Sequence, residues 1–528
     1  MYNLLREPWL PARWRDGSLR AIRPAQIADL DIVAIDWGRA DFAIAALELL
    51  IGLIATACPP RTRRDWLRRW REPPDMAALD AAFAPIAHAF NLHGDGPRFM
   101  QDMDNLEADG EPIERLLIEA PGASTVRNNT DLLVRRGRVQ PLGRAAAAMA
   151  LFTFQTMAPA GGAGNRTGLR GGGPLTTLAI PAGEPSLWHQ LWANMSVDTT
   201  PPPDASDWPR VFPWLAPTIT SEGSRTVTPA TAHPLQCFWG MPRRIRLDFV
   251  TSDRPEPCGL TGVPDTVRVA SWRQRPRGAN YAGWGKVHPL SPHYTIKPGA
   301  EWLPVHPQPG GIGYRHWLGL VVESADTLRV PAAGVAAWRD RATDAGGGEA
   351  RLRAAGFAMD NMKARAFIES EMPLPSAKDA QALDAIAQRL VLAADQAAGL
   401  LRSCVRNALF EPGATVKPDA ERLASVRERL WDGTEHAFFD ALRETAADPA
   451  RAEQIPAEWL TRLRRVALGL FDEAAPLTPD RHKTAPRISR ARRYLTFALH
   501  GYGKDGRSLF ATLGLPPVQP AAKQRKAS

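Results

Sequence analysis

Residues 383–400 read LDAIAQRLVLAADQAAGL, and this stretch decides the fold of the C-terminal part of the chain. Leu383, Ile386 and Leu390 recur at helical spacing, so the stretch predicts a helix with one apolar face. The same composition, rich in Ala, Leu, Arg and Glu, continues through segments that proline and glycine separate. An antiparallel four-helix bundle is the assembly that buries four such apolar faces. The predicted helical segments are 376–410, 418–445, 456–475 and 486–501.

The sequence before Pro373 is mixed in character. It predicts helices and strands interrupted by long stretches rich in proline and tryptophan. The fold class is therefore α+β: a large irregular N-terminal α+β domain over 1–370, the bundle over 376–515 and a basic disordered tail over 516–528. The predicted helices are Asp41–Cys58, Met76–Phe90 and Arg144–Met157, and the predicted strands are Leu4–Pro11, Leu175–Ile180, Arg244–Val250 and Thr266–Trp272.

Basic side chains outnumber acidic ones in the 528-residue chain. Lys and Arg total 65 against 56 for Asp and Glu, which gives a formal net charge of +9. Only nine of the basic residues are lysines. The planar guanidinium of arginine suits forked contacts to phosphates and bases, so this composition favours a polyanionic partner.

Export and membrane insertion are not indicated by the sequence. The four cysteines lie far apart and form no CxxC pair, which is typical of a reducing compartment. The most apolar stretch, Phe42–Ala57, contains Glu48 and is shorter than the roughly 20 residues of a membrane span. It predicts a buried helix, and the N-terminus has no signal-peptide pattern. We therefore expect a cytoplasmic protein.

Familiar catalytic motifs are absent from the sequence. It contains no phosphate-binding P-loop, no complete GxGxxG, and no HD, HxH or HExxH histidine pattern. Its carboxylates form no cluster of the kind that holds two metal ions. The sequence thus predicts a protein that is not an enzyme and has no cofactor, while a nuclease with a dispersed metal site stays an alternative.

The sharpest local feature is APAGGAGNRTGLRGGGP over residues 158–174. Its glycines let a backbone approach a ligand where any Cβ would clash, and Arg166 and Arg170 could meet phosphates. A glycine-rich connector before the strand at Leu175 is the equally favoured alternative.

Three further segments are basic: Gly122–Arg138, Trp272–Gly278 and Arg481–Arg493. In the second, arginines alternate at strand spacing, which predicts an extended arm with Arg273, Arg275 and Arg277 on one side. The third enters the last bundle helix and predicts a face that follows a phosphate backbone. A plain solvated surface is the alternative for the first and the third.

Taken in order, several short elements resemble a known family, the large subunit of the type I-E CRISPR Cascade surveillance complex (the CasA family). The resemblance covers nearly the whole chain and is most specific at the glycine-rich segment. The elements are Asn3-Leu4-Leu5…Trp9-Leu10-Pro11, Arg98-Phe99-Met100-Gln101, Gly161–Pro174 running into Thr176-Thr177, Trp284…His288-Pro289…Ser291-Pro292, and Ala355-Gly356-Phe357…Asn361.

The resemblance implies a non-catalytic subunit of an RNA-guided antiviral complex. Such a subunit recognises the protospacer-adjacent motif (PAM) in double-stranded DNA, starts duplex opening for R-loop formation and helps recruit the helicase–nuclease. The implied partners are crRNA, target double-stranded DNA, the backbone and small Cascade subunits and the recruited helicase–nuclease. No membrane is involved. Some relatives carry a zinc-like cysteine cluster, but only Cys258, with Cys237 further off, is present here, so no metal is expected.

The resemblance also implies roles for particular residues. A helix start or turn after Gly356 is the alternative for the implied wedge. The minor-groove glycine loop is Gly161, Gly162, Ala163, Gly164 and Asn165; the wedge is Met359, Asp360, Asn361 and Met362; the basic finger is Arg273, Arg275 and Arg277; the crRNA loop is Arg127, Asn128, Asn129, Arg135, Arg136 and Arg138. With the basic segments, the candidate DNA-backbone contacts are Arg166, Arg170, Lys363, Arg487, Arg490 and Arg493.

Two rival interpretations of the function stay open. The chain could be the large subunit of another class 1 CRISPR subtype, or a general nucleic-acid-binding protein unrelated to CRISPR.

Overall fold

The computed structural model describes residues 1–131, 134–162, 164–324, 326–346, 349–360, 363–376, 379–411, 420–477 and 484–518, without the side chains of residues 123 and 420–422. Within these residues the chain forms two compact units. The first comprises Met1–Ile312 and Gly319–Leu374, and the second comprises Gly313–Leu318 and the chain from Pro375 onward.

Two helices of the N-terminal unit, α1 (Ala40–Ala57) and α5 (Arg144–Met157), are mostly buried. In helix α1 the apolar residues surround the axis, and 83% of the helix is buried in the protein. It is long and apolar enough to cross a membrane by length and composition, but the prediction of a buried core helix is confirmed. The helices before Pro375 are α1 (Ala40–Ala57), α2 (Arg63–Arg71), α3 (Met76–Phe83), α4 (Ala123–Arg127), α5 (Arg144–Met157), α6 (Leu187–Trp192), α7 (Trp208–Val211), α8 (Trp317–Leu320) and α9 (Ala333–Arg341). The first two residues of α8 belong to the second unit.

Small antiparallel sheets surround these helices. Strand β14 pairs with β15 on one side and β8 on the other, while β10 pairs with β9, β6 and β7. Buried Ile245 and Leu247 alternate with more exposed neighbours along β9, as expected for a strand with one covered face. The strands are β1 (Tyr2–Asn3), β2 (Leu10–Trp14), β3 (Leu19–Ile22), β4 (Ile32–Ile35), β5 (Asn91–His93), β6 (Glu111–Pro112), β7 (Leu142–Gly143), β8 (Thr176–Pro181), β9 (Arg244–Pro257), β10 (Pro264–Arg275), β11 (His293–Tyr294), β12 (Leu303–Pro304), β13 (Arg329–Val330), β14 (Ala350–Asp360) and β15 (Lys363–Leu374).

Two local predictions in this unit are wrong. The expected strand Leu4–Pro11 is mostly a turn, because the indole of Trp9 donates to the carbonyl of Leu4 at 2.7 Å and folds the segment back. The expected helix Met76–Phe90 is α-helical only to Phe83 and continues as a 3₁₀ helix. Pro85 lies at the start of that continuation, and proline has no N–H to donate to an α-helical hydrogen bond.

The C-terminal unit is helical, and α10 packs against each of its other helices. Four of them match the predicted helical segments within a few residues, and a fifth, α14, was not predicted. These helices are α10 (Ala380–Leu409), α11 (Ala420–Ala447), α12 (Ile455–Ala474), α13 (Ala485–Leu499) and α14 (Gly503–Leu513).

Gly313–Leu318 is a distant segment that belongs to this helical unit. The Tyr314 ring stacks on Phe438 with centroids 4.5 Å apart, and its hydroxyl lies 2.6 Å from that of Thr434. Both tyrosine contacts are buried, so six residues of the region 1–370 are part of the second core.

Candidate nucleic-acid interface

The glycine loop, residues 161–165, is a tight backbone turn. The N–H of Gly161 donates to the carbonyl of Asn165 at 3.1 Å. Gly162 at its tip is exposed, and a Cβ added there would meet no atom within 4 Å. Ala163, the third residue of the loop, lies outside the described residues. The loop therefore presents bare backbone at Gly162.

A buried arginine that the sequence analysis missed anchors both ends of this loop. The guanidinium of Arg243 donates to the carbonyl of Pro159 at 2.5 Å and to that of Arg166 at 2.6 Å. Burial lowers the pKa of Arg243 to about 10, so it stays charged at neutral pH. It has no ion pair with any described residue. Its positive charge beneath the loop favours an anion above it.

Arg277 from the predicted finger lies directly against the glycine loop. Its backbone N–H donates to the carbonyl of Gly164 at 3.0 Å, and its own carbonyl accepts from Ser221 at 3.1 Å. These bonds hold Arg277 at a φ of +64°, a left-handed conformation that non-glycine residues seldom adopt. Its exposed guanidinium pairs with Glu222 at 3.3 Å. The structure thus brings one finger residue and the glycine loop together.

The other two arginines of the predicted finger lie on an extended strand that belongs to a sheet. Arg273 and Arg275 lie in β10, which pairs along its length with β9. The Arg273 guanidinium forms an ion pair with Asp248 at 2.5 Å, and Arg275 donates to the carbonyl of Glu107 at 3.0 Å. The extended conformation expected for Arg273 and Arg275 is therefore present, but both guanidiniums already have partners within the protein, and their role in a basic finger stays a prediction.

The second half of the glycine run is packed inside the protein. A Cβ on Gly168 would lie 2.9 Å from the carbonyl of Thr156, and one on Gly172 would lie 2.8 Å from Cα of Pro159. One on Gly173 would collide with the carbonyl of Phe357 and lie 2.9 Å from Cε of Met359. The connector interpretation is therefore correct for this half.

Arg170 is also buried, so its prediction as a DNA-backbone contact is wrong. Its guanidinium is 2.5 Å from the carboxylate of Glu48, and both side chains are almost fully enclosed. It also donates to the hydroxyls of Thr176 and Ser291, each at 3.1 Å. Because the Arg170 guanidinium is buried in these contacts, it cannot reach a phosphate on the surface. Arg166, four residues earlier, is exposed.

The described residues of the predicted wedge, Met359 and Asp360, lie at the end of strand β14. Strands β14 and β15 pair from Ala350 opposite Leu374 to Asp360 opposite Lys363. Gly356 is in mid-strand, where a Cβ would collide with the carbonyl of Pro174, so a helix start or turn after it is excluded. Asn361 and Met362 lie outside the described residues.

Charges flank this end of the hairpin. Lys363 is exposed, and Arg365, which was not predicted, forms an ion pair with Asp360. The negative charge of Asp360, unfavourable beside phosphate, is thereby compensated. Met359 is half-buried against Gly173.

The predicted crRNA loop carries its basic residues on the surface. The Arg136 side chain contacts its own loop: it forms an ion pair with Asp131 at 2.6 Å and donates a hydrogen bond to the side chain of Asn129 at 3.0 Å. It therefore shapes the loop. All six predicted crRNA contacts are exposed: Arg127, Asn128, Asn129, Arg135, Arg136 and Arg138. Of these arginines only Arg136 pairs with a described acid.

The three arginines predicted on the last bundle helix do different things. Arg487 donates to the carbonyls of Ala408 and Leu409 at 3.1 and 3.3 Å, so it caps the C-terminal end of α10. Arg490 and Arg493 are exposed and have no ion pair with a described residue. Only these two remain available to a phosphate.

A metal site is not found within the described part of the chain, where no group of three or more His, Cys, Asp or Glu side chains could hold an ion. Cys237 and Cys258 are both buried and unpaired by disulfides.

The buried network around Arg170 predicts loss of stability in acid. Burial would raise the pKa of Glu48, but Arg170 and His288 hold it at about 2. Burial, with repulsion from Arg170, lowers the pKa of His288 to about 4. Both groups take up protons more readily when the chain is unfolded, so stability present at pH 7 falls as the pH drops from about 6.5.

We expect His288→Gln to reduce the fall in the thermal unfolding midpoint between pH 6.5 and 4.5, measured by circular dichroism. His500→Gln, at an exposed site, is the control and should keep the wild-type slope. Equal slopes in both variants would contradict the assignment.

Comparisons with known proteins place the chain in a family. The model of the family "CRISPR-associated protein Cse1" matches residues 3–470. CasA of Thermus thermophilus has a TM-score of 0.68 and 19% identity over 94% of this chain and 99% of its own. Cse1 of Thermobifida fusca has a TM-score of 0.69 and 17% identity, over 97% of this chain and 98% of its own.

A chain from a structure described as a CRISPR RNA-guided surveillance complex has a TM-score of 0.64 and 18% identity. The match covers 94% of this chain and 99% of that chain. At such identities the structural matches show the common fold. The family model spans nearly the whole sequence, and the resemblance noted from the sequence is confirmed: this chain belongs to the CRISPR-associated Cse1 family.

Proposed function

We propose that this chain is the non-catalytic large subunit of a Cascade-type RNA-guided surveillance complex, that it recognises the PAM in double-stranded DNA, and that it starts duplex opening. In this proposal it works with crRNA and the other Cascade subunits and later helps recruit the helicase–nuclease. Membership of the Cse1 family and the fold shared with a chain of a surveillance complex support the subunit role.

One observation carries the DNA-reading part of the proposal: a single glycine run links two of the predicted elements. At one end, Gly164 accepts from the backbone of Arg277 at 3.0 Å. At the other end, Gly173 packs against Phe357 and Met359 of the hairpin. Bare backbone, a basic side chain and a hairpin are thus held in one continuous piece of structure.

This arrangement suits a minor groove. The groove is only about 6 Å wide, so backbone without side chains enters it most easily. Arg166 and Arg277 are exposed beside the loop and can meet the phosphates or the negative potential of a narrow groove. Readout there is degenerate, so we expect tolerance of several related motifs.

The hairpin supports a role in strand separation. Its strands pair over their length with one irregularity between Ala358 and Met359, and its aromatic pair, Phe357 and Phe367, packs edge to face at 5.0 Å. A rigid hairpin can push side chains between base steps, at a cost of a few kcal/mol that backbone contacts must offset. The basic surface of the Gly122–Arg138 segment is our candidate anchor for crRNA.

The hairpin gives the test of this function. Replacing Asn361 and Met362 with alanine should slow R-loop formation on fully paired DNA, and much less on DNA already mismatched beside the motif, because the wedge acts on unpairing. Rates would be followed by stopped-flow fluorescence with the reconstituted complex. The defect should also shrink on negatively supercoiled plasmid, which supplies opening energy.

Arg351→Ala is the matched control, since Arg351 lies at the opposite end of the same hairpin and pairs with Glu371. It should form R-loops at the wild-type rate. An equal defect of the double variant on paired and pre-opened targets would contradict the wedge assignment.

A further inference from the structure

Three aromatic rings are exposed together at one end of the helical unit. Tyr494 and Phe497 are each 48% exposed and Tyr502 is 38% exposed. Phe497 and Tyr502 stack with centroids 4.8 Å apart and an interplanar angle of 22°. We call Tyr494, Phe497 and Tyr502 the aromatic platform. Exposed rings in such a group are costly unless something covers them.

The backbone holds the platform in this form. Gly501 and Gly503 have φ values of +89° and +73°, left-handed conformations that turn the chain between α13 and α14. The turn returns Tyr502 towards α13, where its N–H donates to the carbonyl of Phe497 at 3.2 Å. The hydroxyl of Tyr494 donates to Asp505 at 2.8 Å. The rings are therefore fixed before any partner arrives.

Basic side chains adjoin the platform on the same face. Arg490, Arg493 and Phe497 recur at spacings of three and four, which puts them on one side of α13. Arg490, Arg493 and Lys504 are exposed and have no ion pair with a described residue. Asp505, which accepts the hydrogen bond of Tyr494, remains an anion beside these three cations. The platform thus joins flat apolar surfaces to positive charge.

We propose that the aromatic platform binds an unpaired DNA strand. Its bases stack on the rings of Phe497 and Tyr502, and its phosphates lie against Arg490 and Arg493. Stacked aromatics beside cations are how proteins hold single strands without regard to sequence, and the bases of an intact duplex offer no free faces. This inference goes beyond the proposed function and does not depend on PAM reading by the N-terminal unit.

The test is binding of fluorescein-labelled oligo(dT) to the full chain, followed by fluorescence anisotropy. Replacing both Phe497 and Tyr502 with alanine should weaken binding about tenfold or more, the range expected for loss of base stacking. Phe497→Trp keeps a ring and should keep the affinity. Leu392→Ala removes another exposed apolar side chain, 39% exposed on α10, and should change nothing.

An abasic oligomer separates stacking from charge. The alanine double variant and the wild type should bind the abasic oligomer equally. Replacing Arg490 and Arg493 with glutamate should weaken the binding of both oligomers and reduce the dependence of their affinity on salt concentration. Unchanged thermal unfolding midpoints would establish that each variant folds.

Wild-type oligo(dT) affinity in the double alanine variant would overturn the proposal. If that variant instead lost only its assembly with the other Cascade subunits, the platform would be a protein-docking surface and the proposal would be wrong. Failure of PAM-dependent binding with normal oligo(dT) binding would count against the proposed function alone.

Discussion

Replacing Arg170 with methionine should destabilise the N-terminal unit by about 3–5 kcal/mol, the usual cost of removing one partner from a buried ion pair. The substitution leaves the Glu48 carboxylate buried with its main counter-charge gone, and it also removes hydrogen bonds to Thr176 and Ser291. Urea unfolding followed by tryptophan fluorescence would measure the loss.

Arg166→Met is the matched control for this prediction. Arg166 belongs to the same glycine-rich segment but is exposed, and exposed substitutions usually change stability by no more than about 0.5 kcal/mol. Adding Glu48→Gln to Arg170→Met should recover part of the stability, because no uncompensated charge then remains. Equal stability of the two single variants would show that the ion pair contributes nothing.

The second large effect is expected at the tip of the glycine loop. Gly162→Trp should reduce the preference for motif-containing over motif-free duplexes by about tenfold or more, since one contacted base pair is worth about 1–3 kcal/mol. The bulky ring would hold the backbone away from the groove. Affinity of the reconstituted complex for both duplexes, measured by gel shift at one salt concentration, gives the ratio.

Gly162 is a better position for this test than Gly161. A Cβ on Gly162 meets no atom within 4 Å, whereas one on Gly161 would lie 2.9 Å from Cβ of Asn165. A side chain at Gly162 therefore begins in open space, and an unchanged thermal unfolding midpoint would establish that the variant folds. Gly469→Trp, on α12 and equally open, is the control and should bind as the wild type does. A wild-type ratio in Gly162→Trp would remove the loop from DNA recognition.

Helices were predictable because their signal is local. Helix α5 begins and ends where the sequence predicted, at Arg144 and Met157, and α10 follows from its own apolar spacing. Helix α14 escaped notice because Gly501, Gly503 and Gly506 interrupt the pattern that identifies a helix. Two of these glycines have the left-handed φ that the turn before α14 requires.

The roles of individual arginines were not predictable, because the partner that decides each role is distant in sequence. Arg170 pairs with Glu48, 122 residues away, and a basic loop residue is indistinguishable in sequence from a core one. Arg273 meets Asp248 only because two strands pair. Arg243 was one of 56 arginines, and nothing near it in sequence marks it as the anchor of the glycine loop.

The anchoring of the glycine loop by Arg243 has a consequence for speed. Hydrogen bonds to the carbonyls of Pro159 and Arg166 hold the two flanks of the loop together, so under the proposed function the loop would not have to order itself on each encounter with DNA. In the proposed function, a complex that inspects many duplex sites for each correct one would then have no slow folding step within a visit. Its dwell time at a wrong site is set by how fast weak contacts break, and rejection is correspondingly quick.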